Sequence, residues 1–96
     1  MAIQSFLDID TESFFLTGRL HKRVRWNDIA KIVMRKLDML HYAKTLSDLQ
    51  SPPGNKLELL SGDLRYFYSI RINDQWRIIF RWSAGNASAV EIIDYH

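Results

Sequence analysis

The stretch Tyr66-Phe-Tyr-Ser-Ile-Arg-Ile-Asn-Asp-Gln-Trp-Arg-Ile-Ile-Phe-Arg-Trp82 decides the fold of this chain. Large apolar side chains recur at every second position on both sides of the polar triplet at 73–75. A period of two is typical of β-strands, because their successive side chains point to opposite faces of a sheet. The stretch therefore predicts two antiparallel strands joined by a tight turn.

The length of the turn fixes the register of this hairpin, because a slip of one residue moves every side chain to the other face. A two-residue turn at Asn73-Asp74 would pair Ile70 with Arg77 and mix core residues with charges. A three-residue turn over 73–75 instead predicts one apolar face, with the pairs Ile72–Trp76, Ile70–Ile78, Tyr68–Phe80 and Tyr66–Trp82. The other face then carries the pairs Arg71–Arg77, Ser69–Ile79 and Phe67–Arg81.

A final strand is expected at 90–95, after a loop at 83–88. The same reasoning pairs Trp82 with Val90 and Phe80 with Ile92 on the apolar face, and sets Arg81 across from Glu91 and Tyr95 opposite Arg77. The residues Asp94-Tyr95-His96 are thereby predicted to lie beside two arginines that face each other.

The N-terminal half carries helical patterns instead of strand patterns. After a short strand at 3–7, a helix capped by Asp10 or Thr11 is expected to end at Gly18. A second helix begins at Asn27 or Asp28. Its apolar face is Ile29, Ala30, Val33, Leu37 and Leu40, and its far side carries Lys31, Arg35, Lys36 and Asp38. With a strand at 56–60 after the break at Pro52-Pro53-Gly54, the sequence predicts an α+β fold whose N-terminal helices pack on one face of a mainly antiparallel β-sheet.

Length and composition limit what the chain can be. Its 96 residues are too few for two cores, so 1–96 is predicted to be a single domain. There is no run of about 18 apolar residues, so no membrane association is expected, and the absence of cysteine fits a cytoplasmic protein. A net charge of +2 does not by itself indicate nucleic-acid binding. The positions of the charges matter more than their sum.

The predicted arginine pair is a candidate anion site. Arg71 and Arg77 would repel each other unless an anion or water separates them, and arginine can donate two parallel hydrogen bonds to a phosphate. Phosphate or an RNA backbone is therefore the expected ligand of this site. The alternative is that the pair is ordinary solvated surface. His96 would add a group that can take or give a proton near neutral pH, although terminal residues are often frayed.

A second basic feature is the segment between the two helices, which contains Arg19, Lys22, Arg23 and Arg25. It can be interpreted as an electrostatic contact with ribosomal RNA or as a solvated connector, and the sequence does not decide between them. His21 and His41 are interpreted as ordinary surface or helix residues, and no spacing of a metal site is present.

Four segments of the chain resemble the HigB branch of the RelE/ParE toxin superfamily: Ser51-Pro-Pro-Gly-Asn55, Leu60-Ser-Gly-Asp63, Ser69-Ile-Arg-Ile-Asn-Asp-Gln-Trp-Arg77 and Ile93-Asp-Tyr-His96. The resemblance implies a RelE-like fold and the toxin of a type II toxin–antitoxin pair. It further implies a ribosome-dependent endoribonuclease that cleaves mRNA in the A site without a metal or other cofactor, by attack of a 2′-hydroxyl on the adjacent phosphate. The implied partners are the ribosome, mRNA and a helix-turn-helix, HigA-like antitoxin, with operator DNA contacted only through the antitoxin complex.

The resemblance also implies roles for individual residues. Arg77 would hold the phosphate, Asp94, Tyr95 and His96 would form the acid–base end, and Asn73 would orient RNA or the ribosome. Arg71 is added by the register, and Lys56 is a further candidate for RNA binding. The chain departs from its relatives at two positions, with Glu58 in place of a histidine and Ser61 in place of a lysine. Because a proton carrier and a phosphate contact are thereby missing, a weak enzyme is expected.

Two alternatives to an endoribonuclease remain open. One is a ParE-like inhibitor of DNA gyrase, and the other is a non-catalytic co-repressor that acts with its antitoxin. The ending Asp94-Tyr95-His96 favours the enzyme, because an inhibitor that only binds does not need acid–base groups.

Overall fold

The computed structural model describes residues 2–95. Within them, two α-helices precede a four-stranded sheet, and short 3₁₀ turns connect the elements. The elements are α1 (Ile9–Thr17), α2 (Ala30–Tyr42), β1 (Glu58–Leu59), β2 (Tyr68–Arg71), β3 (Trp76–Ser83) and β4 (Asn86–Asp94). The strands lie in the order β1-β2-β3-β4 and every neighbouring pair is antiparallel. The predicted α+β class is confirmed.

The register of the central hairpin is confirmed over the length of β2. Tyr68 pairs with Phe80, Ser69 with Ile79, Ile70 with Ile78 and Arg71 with Arg77. The N–H of Ile72 donates to the Trp76 carbonyl at 2.9 Å, which continues the ladder to the turn. The expected pair Tyr66–Trp82 is wrong, because Tyr66 lies outside β2 with a φ of 75° and is 70% exposed.

The register of the last strand differs from the prediction by two residues between Trp76 and Ile79 and by three residues from Arg81 onward. Ile78 pairs with Ile92, Ile79 with Glu91 and Trp82 with Ala87. The expected pairs Trp82–Val90, Phe80–Ile92 and Arg81–Glu91 are therefore wrong, and so is the pairing of Tyr95 with Arg77, whose partner in β4 is Ile93. The physical reason is a two-residue turn at Ala84-Gly85, where both φ angles are positive, which starts β4 at Asn86 instead of position 90. A register irregularity follows between the Ile79 and Arg81 pairs, next to Ala89 at a φ of 51°.

The N-terminal segment is less regular than predicted, and β1 (Glu58–Leu59) is shorter than the strand expected at 56–60. Residues 3–7 form two isolated parallel bridges to β4, Ile3–Ala87 and Phe6–Val90, instead of a strand. The cap of α1 is Asp8, whose Oδ2 accepts from the Thr11 N–H at 3.0 Å, and not Asp10 or Thr11. Gly18 ends α1 in the left-handed region at a φ of 76°, as expected.

The main core lies between the helices and one face of the sheet, here called the helix face. From α2 it takes Val33, Leu37 and Leu40, which are fully buried, and from the sheet it takes Ile70, Ile78 and Phe80. The opposite face is not entirely open, because Leu60 and Phe67 bury Ile79 in a second cluster. Burial on both faces makes β2 and β3 the most enclosed strands of the sheet.

Lys36 contradicts the prediction that it lies on the solvated side of α2. The residue is only 6% exposed, and its Nζ donates to Oδ1 of the fully buried Asn55. Burial, together with the nearby cations Arg35 and Arg71, lowers the pKa of Lys36 below its ordinary 10.5. The Asn55 amide in turn donates to the Leu49 carbonyl at 3.1 Å and so connects α2 to the segment before β1.

Candidate functional site

Arg71 and Arg77 lie side by side on the face of the sheet opposite the helices, as the register predicts. Their mutual repulsion is relieved by carboxylates of the chain itself. Arg71 forms an ion pair with Asp74, and Nη1 of Arg77 lies 2.7 Å from Oε1 of Glu58. These two ion pairs, which the sequence pattern does not reveal, divide the predicted anion site into two separately neutralised arginines.

Arg77 is held by contacts on several sides. Its Nη1 also donates to Oγ of Ser69 at 2.9 Å, and its guanidinium carbon lies 4.8 Å from the ring centroid of Tyr95. Its side chain is only 16% exposed. Since Glu58 and Ser69 both use Nη1, the Nη2 and Nε donors have no hydrogen-bond partner among residues 2–95. Such an edge of a guanidinium can give two parallel hydrogen bonds to a phosphate.

Asp94 lies on the other side of the sheet from Arg77. It pairs across the strands with Trp76, and its Oδ2 accepts from Arg25 Nη2 at 3.1 Å and from Gln75 Nε2 at 3.0 Å. Successive residues of β4 alternate in direction, so Asp94 faces the helix side while Tyr95 contacts Arg77 on the opposite side. The structure thus brings Arg77 and Tyr95 together and leaves the Asp94 carboxylate away from them. The predicted role of His96 lies outside the described residues.

A cleft of 330 Å³ adjoins Asp94, between the segment that follows α1 and the end of β4. The guanidinium of Arg25 forms part of its wall and lies 5.4 Å from the ring centroid of Trp76. Arg23 lies at the same cleft and forms two hydrogen bonds with Asp10, each 2.9 Å long. Of the four predicted RNA-binding cations of this segment, two are therefore engaged with carboxylates. Arg19 and Lys22 are exposed and form no ion pair within residues 2–95.

The two remaining predicted RNA contacts are Asn73 and Lys56. Asn73 uses its Oδ1 to accept from the backbone N–H groups of Gln75 at 2.9 Å and Trp76 at 2.8 Å, so it shapes the turn between β2 and β3. Lys56 is exposed just before β1 and has a φ of 45°. No group of three or more His, Cys, Asp or Glu that could hold a metal ion occurs within the described range.

Three residues of the site were missed by sequence reasoning about contacts: Glu58, Ser69 and Gln75. Ser69 had a signal, because the hairpin register places it next to Arg77 on the same face. Glu58 had none, since β1 comprises only two residues and its pairing with Ser69 cannot be derived from a period. Gln75 acts from inside the turn, where its carbonyl also accepts from the Tyr95 N–H at 2.7 Å.

Comparison with known proteins places this geometry in a family. The family described as the RelE-like toxin of the type II toxin–antitoxin system HigB matches residues 4–96. Toxin HigB-1 of Vibrio cholerae serotype O1 is 40% identical over 87 residues, which cover 91% of this chain and 90% of that protein. An uncharacterized protein of Haemophilus influenzae is 38% identical over 79 residues, covering 82% of this chain and 77% of its own.

Solved structures agree on the fold. The YoeB-YefM complex from Staphylococcus aureus matches with a TM-score of 0.57 at 16% identity, covering 100% of this chain and 99% of that one. The YoeB/ParE toxin from Agrobacterium tumefaciens matches with a TM-score of 0.56 at 16% identity, and both chains are covered completely.

These matches define the class of protein as a RelE-like toxin of a type II toxin–antitoxin system. Within that class, the chain belongs to the HigB-like toxin family. The family predicted from the four sequence segments is confirmed. Among residues 2–95, no helix is long and apolar enough to cross a bilayer.

Proposed function

We propose that this toxin is an endoribonuclease that cleaves mRNA in the ribosomal A site. The observation that carries the proposal is the Arg77 guanidinium, which is fixed by Glu58, Ser69 and Tyr95 and keeps one edge of donors unpaired within the described chain. A fixed cation with open donors can stabilise a phosphorane, where negative charge accumulates during cleavage.

We propose the cytoplasm as the place of action and a helix-turn-helix, HigA-like antitoxin as the partner that neutralises the toxin. Operator DNA would be contacted only through that complex.

The chemistry needs no group beyond the RNA and the protein. The 2′-hydroxyl loses its proton and attacks the adjacent phosphorus, and the 5′-oxygen of the next nucleotide leaves and takes up a proton. In this proposal, Nη2 and Nε of Arg77 bind the non-bridging phosphate oxygens. Tyr95 lies against Arg77, where its hydroxyl can hydrogen-bond a reacting oxygen, and His96 is the proposed proton carrier. Arg71 and Lys56 contribute positive charge along the RNA path.

The test is expression of the toxin in translating cells, followed by mapping of mRNA 5′ ends. We expect discrete cuts in translated messages, and we expect Arg77→Ala to reduce them by about 100-fold or more, because an electrostatic contact of the transition state is lost. The matched control is Arg81→Ala. Arg81 is an exposed arginine on the same strand as Arg77, and its guanidinium lies over the ring of Phe67. This control should cut mRNA like the unaltered toxin.

Growth arrest with intact mRNA and altered DNA supercoiling would contradict the proposal and support the gyrase inhibitor. If neither mRNA nor DNA supercoiling changes, and the protein represses an operator in the presence of the antitoxin, the co-repressor is supported. Cuts that persist in the Arg77→Ala variant would remove Arg77 from the mechanism.

A further inference from the structure

The segment between α1 and α2 contacts the end of β4 at the cleft, and the contacts are specific. Arg25, which is 69 positions before Asp94 in the chain, donates to its carboxylate at 3.1 Å. Gln75 donates to the same Oδ2 at 3.0 Å from the turn between β2 and β3. The Gln75 carbonyl accepts from the N–H of Tyr95 at 2.7 Å. Two separate elements therefore hold two successive residues at the end of β4.

The position of Arg25 is itself fixed. Its guanidinium lies over the ring of Trp76, which is 7% exposed, and the neighbouring residues Val24 and Trp26 are 6% and 5% exposed. A side chain whose backbone is anchored on both sides by buried residues is not a freely moving cation of a solvated connector. A guanidinium stacked on an aromatic ring also gives up part of the freedom that it would need to follow an RNA backbone.

We infer that Arg25 and Gln75 are positioning residues, which hold Asp94 so that Tyr95 stays against Arg77. This role rests on the proposed endoribonuclease function. Asp94 connects the cleft to the cleavage site because it precedes Tyr95, while its carboxylate points to the helix side of the sheet. Asp94 is then an anchor for the end of β4, and its carboxylate transfers no proton. Arg25 acts on the reaction through Asp94 and not through the phosphates of RNA.

The ion pair between Arg25 and Asp94 can orient the end of β4, but it is too exposed to contribute much to the stability of the fold. The Arg25 side chain is 71% exposed and the Asp94 side chain 24% exposed, and ion pairs in that range add little to stability. Loss of Arg25 is therefore expected to leave the protein folded and to loosen the end of β4. A displacement of a reacting group by about 1 Å can slow a reaction by about 100-fold.

The first arm of the test measures single-turnover cleavage of mRNA on programmed ribosomes, at rising toxin concentration, for the full chain. We expect Arg25→Ala and Gln75→Ala to lower the rate at saturation by on the order of tenfold, with the half-saturating concentration unchanged. In a chain that already carries Asp94→Ala, adding Arg25→Ala should cost almost nothing more. The matched control is Arg81→Ala, which removes the same charge from an exposed arginine outside the cleft and outside the Arg77 contacts. Its rate at saturation should be unchanged.

Two outcomes would overturn the inference. If Arg25→Ala raises the half-saturating concentration and leaves the saturated rate intact, Arg25 binds ribosomal RNA instead. If the losses from Arg25→Ala and Asp94→Ala multiply, the two residues act independently.

The second arm does not depend on activity. Hydrogen exchange of the Tyr95 amide, followed by NMR in the full chain, should be accelerated several-fold by Arg25→Ala and not by the control Arg81→Ala. Equal exchange in both variants would refute the positioning role even if the protein cleaves RNA. Faster exchange in a protein that shows no cleavage would leave the contact established and overturn the proposed function alone.

Discussion

Glu58 is the residue at which this chain departs most clearly from what its family resemblance implies. A carboxylate stands where the resemblance implies a histidine, and it forms an ion pair 2.7 Å long with the arginine proposed to hold the phosphate. A phosphate that approaches Arg77 must then share the cation with a fixed negative charge. Since like charges at short distance repel, we expect Glu58 to weaken the proposed binding of an RNA phosphate by Arg77.

Glu58→Gln should therefore tighten binding of an mRNA that cannot be cleaved. We expect about a tenfold lower Kd for programmed ribosomes whose A-site codon carries 2′-O-methyl groups, because the repulsion is removed and no chemistry occurs. Titration by fluorescence anisotropy measures it. Glu12→Gln on α1 makes the same change of net charge outside the Arg77 contacts and is the matched control. Unchanged affinity in Glu58→Gln would show that the carboxylate does not compete with phosphate.

Lys36 carries a prediction about stability and pH. Its pKa is lowered in the folded protein by burial and by Arg35 and Arg71, so between that lowered value and the ordinary 10.5 the unfolded chain binds more protons. The contribution of Lys36 to the free energy of unfolding therefore rises as the pH rises through this window, and it is lost as the pH falls through the lowered pKa.

Urea unfolding of the unaltered protein and of Lys36→Met, from neutral pH to 10.5, measures this contribution. The stability of the unaltered protein relative to Lys36→Met should increase with pH. Lys31→Met, which removes an exposed lysine from the same helix, is the matched control. A difference that stays constant across the range, or that equals the difference found with Lys31→Met, would contradict the prediction.

At the scale of elements, the turn between β2 and β3 supports both sides of the site. Asn73 shapes this turn through two hydrogen bonds to its Oδ1, and the turn carries Gln75. We expect Asn73→Ala to lower the free energy of unfolding by about 1–2 kcal/mol, because two backbone donors lose their acceptor. Asn73→Asp keeps an oxygen in the same place and should cost much less. Equal losses in the two variants, measured by urea unfolding, would show that the side-chain oxygen does not shape the turn.

The strands also show which parts of the fold can be predicted from the sequence. The β2–β3 register was predictable because Ile70, Ile78 and the paired arginines Arg71 and Arg77 leave only one arrangement with an apolar face. The β3–β4 register was not, because a shift of two residues preserves the faces and pattern alone cannot detect it. Only the positive φ angles of Ala84-Gly85 and the irregularity at Ala89 fix it, and no repeat in the sequence encodes them.

The candidate site likewise has parts that the residue pattern predicts and parts that it does not. Arg77 and Tyr95 were predicted to meet and do so, although Tyr95 reaches Arg77 from beyond the end of β4 and not as a cross-strand partner. The resemblance implies a single acid–base end at 94–96, and this does not predict the separation of Asp94 from Arg77. In a strand, neighbouring side chains point to opposite sides of the sheet. The ion pair of Glu58 depends on a two-residue strand that no periodicity reveals.

At the scale of the whole molecule, a formal charge of +2 conceals how many cations are already engaged. Arg23, Arg25, Arg71 and Arg77 each form an ion pair with a carboxylate. Arg19 and Lys22 form none within the described residues, so they are the cations of the segment after α1 that can meet phosphates.

Ribosome binding should therefore depend on salt chiefly through Arg19 and Lys22 in this segment. Each contact with single-stranded RNA contributes about −0.7 to the slope of log K against log salt, so the double change of both to Ala should reduce the slope by about 1.4. Sedimentation with ribosomes between about 50 and 200 mM salt measures it. Arg23→Ala should change the slope less, because its charge is held by Asp10. A larger change in Arg23→Ala than in the double variant would reverse the assignment.

The bridges between residues 3–7 and β4 also suggest when, during synthesis, the molecule would acquire the proposed activity. The N–H of Ala89 donates to Oγ of Ser5, a partner 84 positions earlier in the chain. Arg25 and its partner Asp94 are 69 positions apart. Contacts of such separation form late, since a long loop must close before they contribute. A nascent chain therefore emerges with its helices and first strands exposed and without the contact between Tyr95 and Arg77. On this view the toxin becomes competent only after β4 has been translated and has packed against residues 3–7.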